Sequence, residues 1–362
     1  MATLQNFLRT IGSVLDLQKR YNINVKLHDS YPQLHLFKYD QRKSPFNEPI
    51  VRECRGIILD ADNDWAIVCR PYDKFFNYEE PEAHDIDWST ARCYEKLDGS
   101  LMTLYHYDDK WHVSSSGVPD ASGNLPPTVY KSDMTFRDLF WQVWGELNYQ
   151  LPEDTSKCYI FELMTPLNQV IVPQKSNQII LHGVRCMETM AEHTPESYTD
   201  IYGWQVVKSY DIGDVDLMVQ HIKDCDPMLT EGRVVCDHRF HRIKIKGRQY
   251  VIMAHTSAKG SSFSDKDIIS IIQRNEADEF LANYPEHLAR FDQLTELYQR
   301  TLDTIQTSVN QHLNETPKEM GLIVKDLWYK SCLFALKNGK VTSVRDWLDT
   351  QDPKRLVTRL SN

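Results

Sequence analysis

Glu95-Lys96-Leu97-Asp98-Gly99-Ser100 places a lysine two residues ahead of an Asp-Gly turn. A lysine amine attacks phosphorus once it is neutral and held still, and a glycine beside it lets backbone approach a bound nucleotide closely. At its reference pKa of about 10.4 a lysine is almost wholly protonated at neutral pH. Such a residue therefore needs neighbouring positive charge, which disfavours its own protonation. It also needs cations for phosphates and carboxylates for a metal. The pattern K-x-D-G is too short to carry this chemistry alone, so the partners decide.

In Ile243-Lys244-Ile245-Lys246, a period of two sends both isoleucines to one face of a strand and both lysines to the other, about 7 Å apart. Two ammonium groups so placed can grip a phosphate. Glu162 is embedded in the apolar run Ile160-Phe161-Glu162-Leu163, and Glu231-Gly232 precedes Arg233-Val234-Val235-Cys236. A carboxylate beside glycine at a strand entrance suits Mg²⁺ or a ribose hydroxyl. Upstream, Arg55-Gly56 opens a strand and Asp73-Lys74-Phe75-Phe76-Asn77 sets a lysine among aromatics, which suits phosphate contact and base stacking. Each feature also has a plainer reading: a solvated amphipathic strand, ion-pair acids, core phenylalanines.

The elements that must position these residues show in the pattern. Leu4, Phe7, Leu8, Ile11, Val14 and Leu15 share one helical face over residues 4–18. Gly56–Leu59 and Trp65–Cys69 flank a polar turn and predict a hairpin, and Leu101–Tyr107 with Trp111–Ser115 predict another directly after Lys96. Residues 118–128 are a loop and 133–148 a helix. Tyr159–Leu163, Val170–Val172, Gln178–Val184, Arg233–Cys236 and Arg242–Ile245 are further strands. Beyond about 255 the strand pattern stops. Phe291, Leu294, Tyr298, Leu302, Ile305 and Val309 form the stripe of a long helix. Thr316-Pro317-Lys318-Glu319 is a capping box, with Asn338-Gly339 as that helix's stop. The expected division is 1–254 and a small all-helical domain, 255–362.

The 362 residues are 41% hydrophobic and 25% charged, ordinary globular values. A net charge of −10 excludes a uniformly basic nucleic-acid surface, but residues 241–248, five of them Lys, Arg or His, allow a local basic groove. No apolar run suits a membrane span and the first residues have no signal-peptide pattern, so the expected location is cytoplasmic. Eight scattered cysteines without C-x-x-C read as reduced thiols that fill cores.

The order of the motifs is more specific than any one of them. Arg55-Gly56, Lys74-Phe75-Phe76-Asn77, Lys96-Leu97-Asp98-Gly99, Phe161-Glu162, Glu231-Gly232 and Lys244-Ile245-Lys246 follow one another as in the covalent lysyl-nucleotidyltransferases, the superfamily of ATP-dependent polynucleotide ligases and mRNA capping enzymes. The chain most resembles the bacteriophage RNA ligase 1 family, the tRNA-repair ligases. Glu53-Cys54-Arg55-Gly56, Arg70-Pro71, Asp98-Gly99-Ser100, Ile179-Ile180-Leu181, Val184-Arg185, Tyr250-Val251 and His255 with Thr256 and Lys259 extend the likeness over about residues 35–260.

The resemblance implies an α+β fold: an ATP-grasp-like DNA/RNA ligase nucleotidyltransferase domain of antiparallel sheets with flanking helices, plus a small all-α C-terminal domain. It implies an ATP-dependent RNA ligase that joins 5′-phosphate and 3′-hydroxyl ends through lysyl-AMP and RNA-adenylate, using Mg²⁺ or Mn²⁺, acting as a monomer on nicked tRNA, in the host cytoplasm if phage-encoded. Lys96 is the implied nucleophile, and Lys244 and Lys246 grip the α-phosphate. Glu231 serves the metal or its waters, and Glu162 the ribose or metal. Arg55 and Lys74 contact ATP phosphates or the RNA end. Gly99 admits the ribose, and Asp98, Gly232 and Tyr250 border the nucleotide. The helical tail selects RNA, with Arg290, Arg300, Lys318, Lys325, Lys330 and Lys337 as candidate contacts. A DNA ligase or capping enzyme, or a non-catalytic RNA-binding relative, is the alternative; the tail's lack of a β-barrel pattern disfavours the first two. One position departs from the family. Where a basic residue usually precedes the glycine after the second hairpin, this chain has Ser116-Gly117. Ser116 can still hydrogen-bond the nucleotide. Either the contact is weaker, or Lys110 or Lys131 replaces the charge.

Overall fold

The computed structural model describes residues 2–41, 43–125, 134–255 and 263–360. In chain order its strands are β1 (Ile23–Leu27), β2 (Leu34–Tyr39), β3 (Arg55–Asp60), β4 (Ala66–Cys69), β5 (Phe76–Asn77), β6 (Arg92–Lys96) and β7 (Ser100–Tyr107). They continue with β8 (Lys110–Ser115), β9 (Lys157–Met164), β10 (Gln178–Cys186), β11 (Glu192–His193), β12 (Ser209–Tyr210), β13 (Gly232–Cys236) and β14 (Arg242–Lys246). The first sheet is ordered β1-β2-β3-β4, the second β11-β10-β9-β7-β8 and the third β12-β6-β13-β14-β5. Among the described strands, the β14–β5 pairing alone is parallel. Both predicted hairpins form; the second turns on Asp108 and Asp109, both at positive φ, as a two-residue hairpin turn requires.

Alternation decides which face of each sheet is dry. In the second sheet Met102, Leu104, Phe161, Leu163, Ile179 and Leu181 pack with the helix Phe136–Glu146 and the fully buried Trp204. In the third, Cys93, Val235, Ile243 and Ile245 pack on Val219 and Ile222 of the helix Val215–Lys223. The opposite faces of these two sheets turn toward each other, and Tyr94, Val207 and Cys236 meet Ile180 there. One face of the first sheet covers the N-terminal helices. Its other face, with Leu34, Leu36 and Ile58, packs on Tyr105 and Cys158 of the second sheet.

The chain divides into two compact units, residues 1–250 and 251–362. The second is built of helices, with Phe291, Leu294, Tyr298, Ile305 and Val309 of the long helix Leu288–His312 buried in its core. All eight cysteines are free and six are buried. Among the described residues no helix is long and apolar enough to cross a membrane.

Three elements differ from expectation. The helix over 4–18 is two helices, Thr3–Thr10 and Val14–Tyr21, because Ser13 and Asp16 form a capping box that starts a new helix; Ile11 and Leu15 are left exposed. The helix from Pro317 likewise breaks into Pro317–Ile323 and Lys330–Lys337. Val324 and Tyr329 are both buried, yet five positions of a continuous helix would set them about 140° apart; the turn brings both inward. Val170–Val172 is loop, for a reason given below. Lys131, Thr256 and Lys259 lie outside the described residues.

The β13–β14 hairpin closes on Asp237. Its carboxylate accepts backbone N–H groups of Arg239 (2.9 Å) and His241 (3.0 Å) and pairs with the Arg239 guanidinium at 2.9 Å. Burial would raise its pKa, but the Arg239 bond and the backbone donors outweigh that and hold it at about 2, below the ordinary 3.8. A depressed carboxylate pKa gives stability above its unfolded value that fades as pH falls through the folded one. Asp237→Asn should therefore be less stable than the parent at pH 6. That gap should close between about pH 4 and pH 2, as read by urea unfolding at each pH.

Candidate active site

Lys96 ends β6 and Ser100 begins β7, so three residues carry the chain from the third sheet to the second. Between the facing sides of these sheets lies a cavity of about 260 Å³. Tyr94, Lys96, Val234, Cys236 and Arg242 line it from the third sheet, and Leu101, Glu162 and His182 from the second, with Gly99 at the crossing. Arg55, Tyr72, Phe75 and Phe240 complete much of the wall. The mix of aromatic, apolar and convergent charged groups suits a nucleoside with attached phosphates.

Register sets the charges. Gly232 of β13 lies directly opposite Lys96 on one side and Lys246 on the other. Directly opposed residues share a sheet face, so the two lysines stand on one face with a glycine between. Val234, similarly, separates Tyr94 from Lys244, which puts Lys244 on the same face. Gly232 has φ +150°, and a Cβ there would lie 2.8 Å from the Lys246 Cα, so no side chain fits between the lysines. Glu231, 5% exposed, bridges them: its Oε2 is 2.7 Å from Lys96 Nζ and its Oε1 3.3 Å from Lys246 Nζ. Two ammonium groups thus converge on one carboxylate.

Asp98 does not line the cavity. It is 5% exposed, and its Oδ2 accepts the N–H groups of Ile171 (2.8 Å) and Val172 (2.6 Å) while its Oδ1 accepts the Tyr250 hydroxyl at 2.6 Å. These bonds are why residues 170–172 form no strand. Asp98 and Tyr250 hold the crossing in place, and the cavity is lined by their neighbours. Gly99 has a structural reason of its own: a Cβ there would lie 2.7 Å from Met164 Cγ and closer still to the Leu163 carbonyl. Glu162, expected as a ribose or metal group, pairs with His182 Nε2 at 3.0 Å.

Arg55 lines the cavity and lies over the Phe75 ring, its guanidinium carbon 5.2 Å from the centroid. Lys74 is placed elsewhere: its ammonium sits over the rings of Tyr39, Phe46 and Phe76, at 5.2, 4.1 and 5.0 Å, and it is not among the cavity-lining residues. Ser116 accepts a hydrogen bond from Lys38 Nζ at 3.3 Å. Lys110, one suggested replacement, begins β8 and borders a different pocket with His28 and Trp111. The basic run 241–248 does not form one cationic stripe. His241 stacks on His84 at 4.7 Å, and Arg242 is neutralised by Glu192 at 2.6 Å while lying over Tyr72. Burial works against that guanidinium's charge, but Glu192 more than offsets it, so its pKa is raised. Sequence reading missed His182, Arg242 with Glu192, and Lys38. Of these only Arg242 carried a signal, its place two residues before Lys244.

If Asp98 is the clamp of the crossing, Tyr250→Phe should cost about 1–3 kcal/mol, the range for a buried hydrogen bond to a charged group, and Asp98→Ala should cost more. The double variant should be no less stable than Asp98→Ala alone, because both remove the same bond; a double-mutant cycle in guanidinium unfolding measures this.

The family model for RNA ligase matches residues 53–250, the stretch that holds every residue of this site except Lys38. An RNA ligase of Rhodothermus phage RM378 is 24% identical over an alignment of 383 residues, covering 84% of this chain and 85% of that protein. A protein of Autographa californica nuclear polyhedrosis virus, whose name joins polynucleotide kinase to RNA ligase, is 25% identical over 295 residues; the match takes in 76% of this chain but 40% of that protein. Among solved structures, an archaeal ATP-dependent RNA ligase aligns over 81% of this chain and 79% of its own, at 11% identity and a TM-score of 0.46. With more than half of its length matched by that family model, and with the lysine row and the facing sheets inside the matched stretch, the chain belongs to the RNA ligase family of the bacteriophage RNA ligase 1 type.

Proposed function

We propose that this RNA ligase is ATP-dependent, works through AMP bonded to Lys96, and seals 5′-phosphate to 3′-hydroxyl ends in nicked tRNA. The observation that carries the reading is the row Lys96, Gly232, Lys246 bridged by Glu231 beside a nucleoside-sized cavity. In the first step the Lys96 ammonium gives up a proton, for which Glu231 at 2.7 Å is an acceptor within reach. The amine nitrogen then bonds to the α-phosphorus of ATP. The bond from that phosphorus to the oxygen bridging toward the β-phosphorus breaks, and pyrophosphate leaves with the electron pair. In the second step an oxygen of the RNA 5′-phosphate attacks the same phosphorus, and the lysine nitrogen leaves and regains a proton. In the third, the 3′-hydroxyl oxygen attacks the 5′-phosphate phosphorus, losing its proton, and AMP departs.

Lys244 and Lys246 offset the charge that gathers on the α-phosphate. Arg55 reaches the phosphates, and Glu162, oriented by His182, receives the ribose hydroxyls. Among the described residues no group of three His, Cys, Asp or Glu side chains could hold a metal. A hard divalent ion takes one or two carboxylates and fills its shell with water and substrate phosphate oxygens, so Glu231 and Glu162 fit Mg²⁺ or Mn²⁺ arriving with ATP. Such an ion supplies charge stabilisation to the transferring phosphoryl group. In the helical unit, Arg290 and Arg300 are paired with Asp265 and Glu296, and Lys337 donates to the carbonyls of Leu313 and Glu315. The exposed Lys318 and Lys325 are the better candidates for RNA contact.

Incubation with Mg²⁺ and ATP labelled at the α-phosphate should give an adduct that survives denaturing electrophoresis, and Lys96→Ala should abolish it while keeping a cooperative unfolding transition. Labelling from GTP in place of ATP would mean capping chemistry. No adduct from either, on protein freed of bound AMP, would sink the mechanism. Sealing of a nicked DNA duplex but not of a nicked anticodon stem-loop would overturn the RNA assignment.

A further inference from the structure

We propose that Lys38 and Arg55 form a phosphate-binding pair beside the Lys96 cavity, with Lys38 supplying from β2 the charge that position 116 lacks. The inference rests on the ligase reading for the source of the phosphate.

Lys38 and Arg55 are directly opposite each other on β2 and β3, an arrangement that costs stability for like charges. Among the described residues neither has a carboxylate within ion-pair distance. Lys38 Nζ makes one hydrogen bond, to the Ser116 hydroxyl at 3.3 Å. Arg55 Nη1 is buried and has no hydrogen-bond partner, although the same residue lines the cavity that holds Lys96. A buried guanidinium nitrogen without an acceptor, opposite an ammonium whose one acceptor is a neutral hydroxyl, is expensive, and an anion from outside the fold would offset both. Arginine's fork and lysine's point charge are the groups that take phosphate oxygens.

The backbone is shaped to bring the two cations there. The register between β2 and β3 slips next to Lys38, leaving Gly56 at φ +98° as the extra residue. A Cβ on Gly56 would lie 3.3 Å from Ser116 Cα, and one on Gly117 would lie 3.3 Å from Lys38 Nζ. Two glycines thus let β3 and the end of β8 close on the lysine. Burial lowers the Lys38 pKa, against a pull from Tyr39 and with a further push from Arg55, as for an ammonium that lacks its anion. Lys110 cannot play this part, since six residues of strand put it about 20 Å from position 116.

Phosphate oxygens could come from the two terminal phosphates of ATP, which leave as pyrophosphate, or from the RNA 5′-end. Arg55's place in the Lys96 cavity favours ATP. Lys38→Met should raise the KM for ATP in Lys96 labelling, and for pyrophosphate in its reversal, by about ten- to a hundredfold, as for loss of a charge-assisted hydrogen bond. Sealing of pre-adenylylated RNA, which bypasses ATP, should be unchanged. Adding Ser116→Lys to Lys38→Met should restore the KM, which a merely structural lysine would not allow. A slowed transfer of AMP to RNA with the ATP KM unchanged would uphold the site and assign it to the RNA phosphate. Effects under twofold on every step, or a loss that Ser116→Lys does not restore, would overturn it. Calorimetric titration of the parent and Lys38→Met with pyrophosphate tests the pair without turnover: weaker binding in the variant upholds it, and equal binding together with unchanged transfer of AMP to RNA overturns it. A parent chain that binds pyrophosphate but forms no adduct would sink the ligase reading alone.

Discussion

The crossing at Leu97-Asp98-Gly99 is the constraint on which the site depends. Here the chain passes between two facing sheets in three residues, and so short a passage must be both anchored and kept clear of β9. Asp98 anchors the passage by accepting the N–H groups of Ile171 and Val172 and the Tyr250 hydroxyl on one buried carboxylate. Gly99 resolves the steric half, since the β9 backbone lies where its Cβ would be. What emerges is a lysine at the last position of a strand, held at its root by the ladder to Gly232 and at its tip by Glu231.

Charge is then distributed by pairing. The chain is acidic overall, so a cationic site depends on which cations are left without full compensation. Arg242 is neutralised by Glu192, which also takes Arg185, and Arg70 is held by Glu53 and Asp73. Those guanidiniums belong to the walls. Lys96 and Lys246 both pair with Glu231, and among the described residues Lys38 and Arg55 have no carboxylate within ion-pair distance. Glu231, 5% exposed, has two cationic partners that offset the cost of burying a carboxylate.

Much of this was legible in the sequence because it is written in short periods. Alternation in Ile243-Lys244-Ile245-Lys246 assigned the isoleucines to a core and the lysines to the opposite face, and the third sheet has that arrangement. The hairpin around Asp108-Asp109 followed from flanking alternation. What periodicity cannot supply is the partner across space. The family resemblance set Asp98 beside the nucleotide, and no sequence pattern shows that its bonds go to residues 73, 74 and 152 positions away. Periodicity read Val170–Val172 as a strand from composition, although two of those N–H groups are committed to Asp98. The helix breaks at Ser13 and at Val324–Tyr329 were hidden because a continuous apolar stripe is compatible with both one helix and two; the capping box at Ser13 was the available warning.

Ser116 shows the same limit from the other side. A motif records charge by its place along the chain, but a phosphate responds to charge by its place in space. Position 116 ends one hairpin and Lys38 lies 78 residues earlier on another sheet, so no local pattern joins them. The side chain of β2 that faces the second sheet is chosen by alternation with the buried Leu34 and Leu36, and Lys38 is the next residue in that series. Any residue there would point toward the end of β8. A lysine at this one position, with glycines at 56 and 117 to make room, can therefore relocate a cation between strands while the phosphate keeps its neighbour.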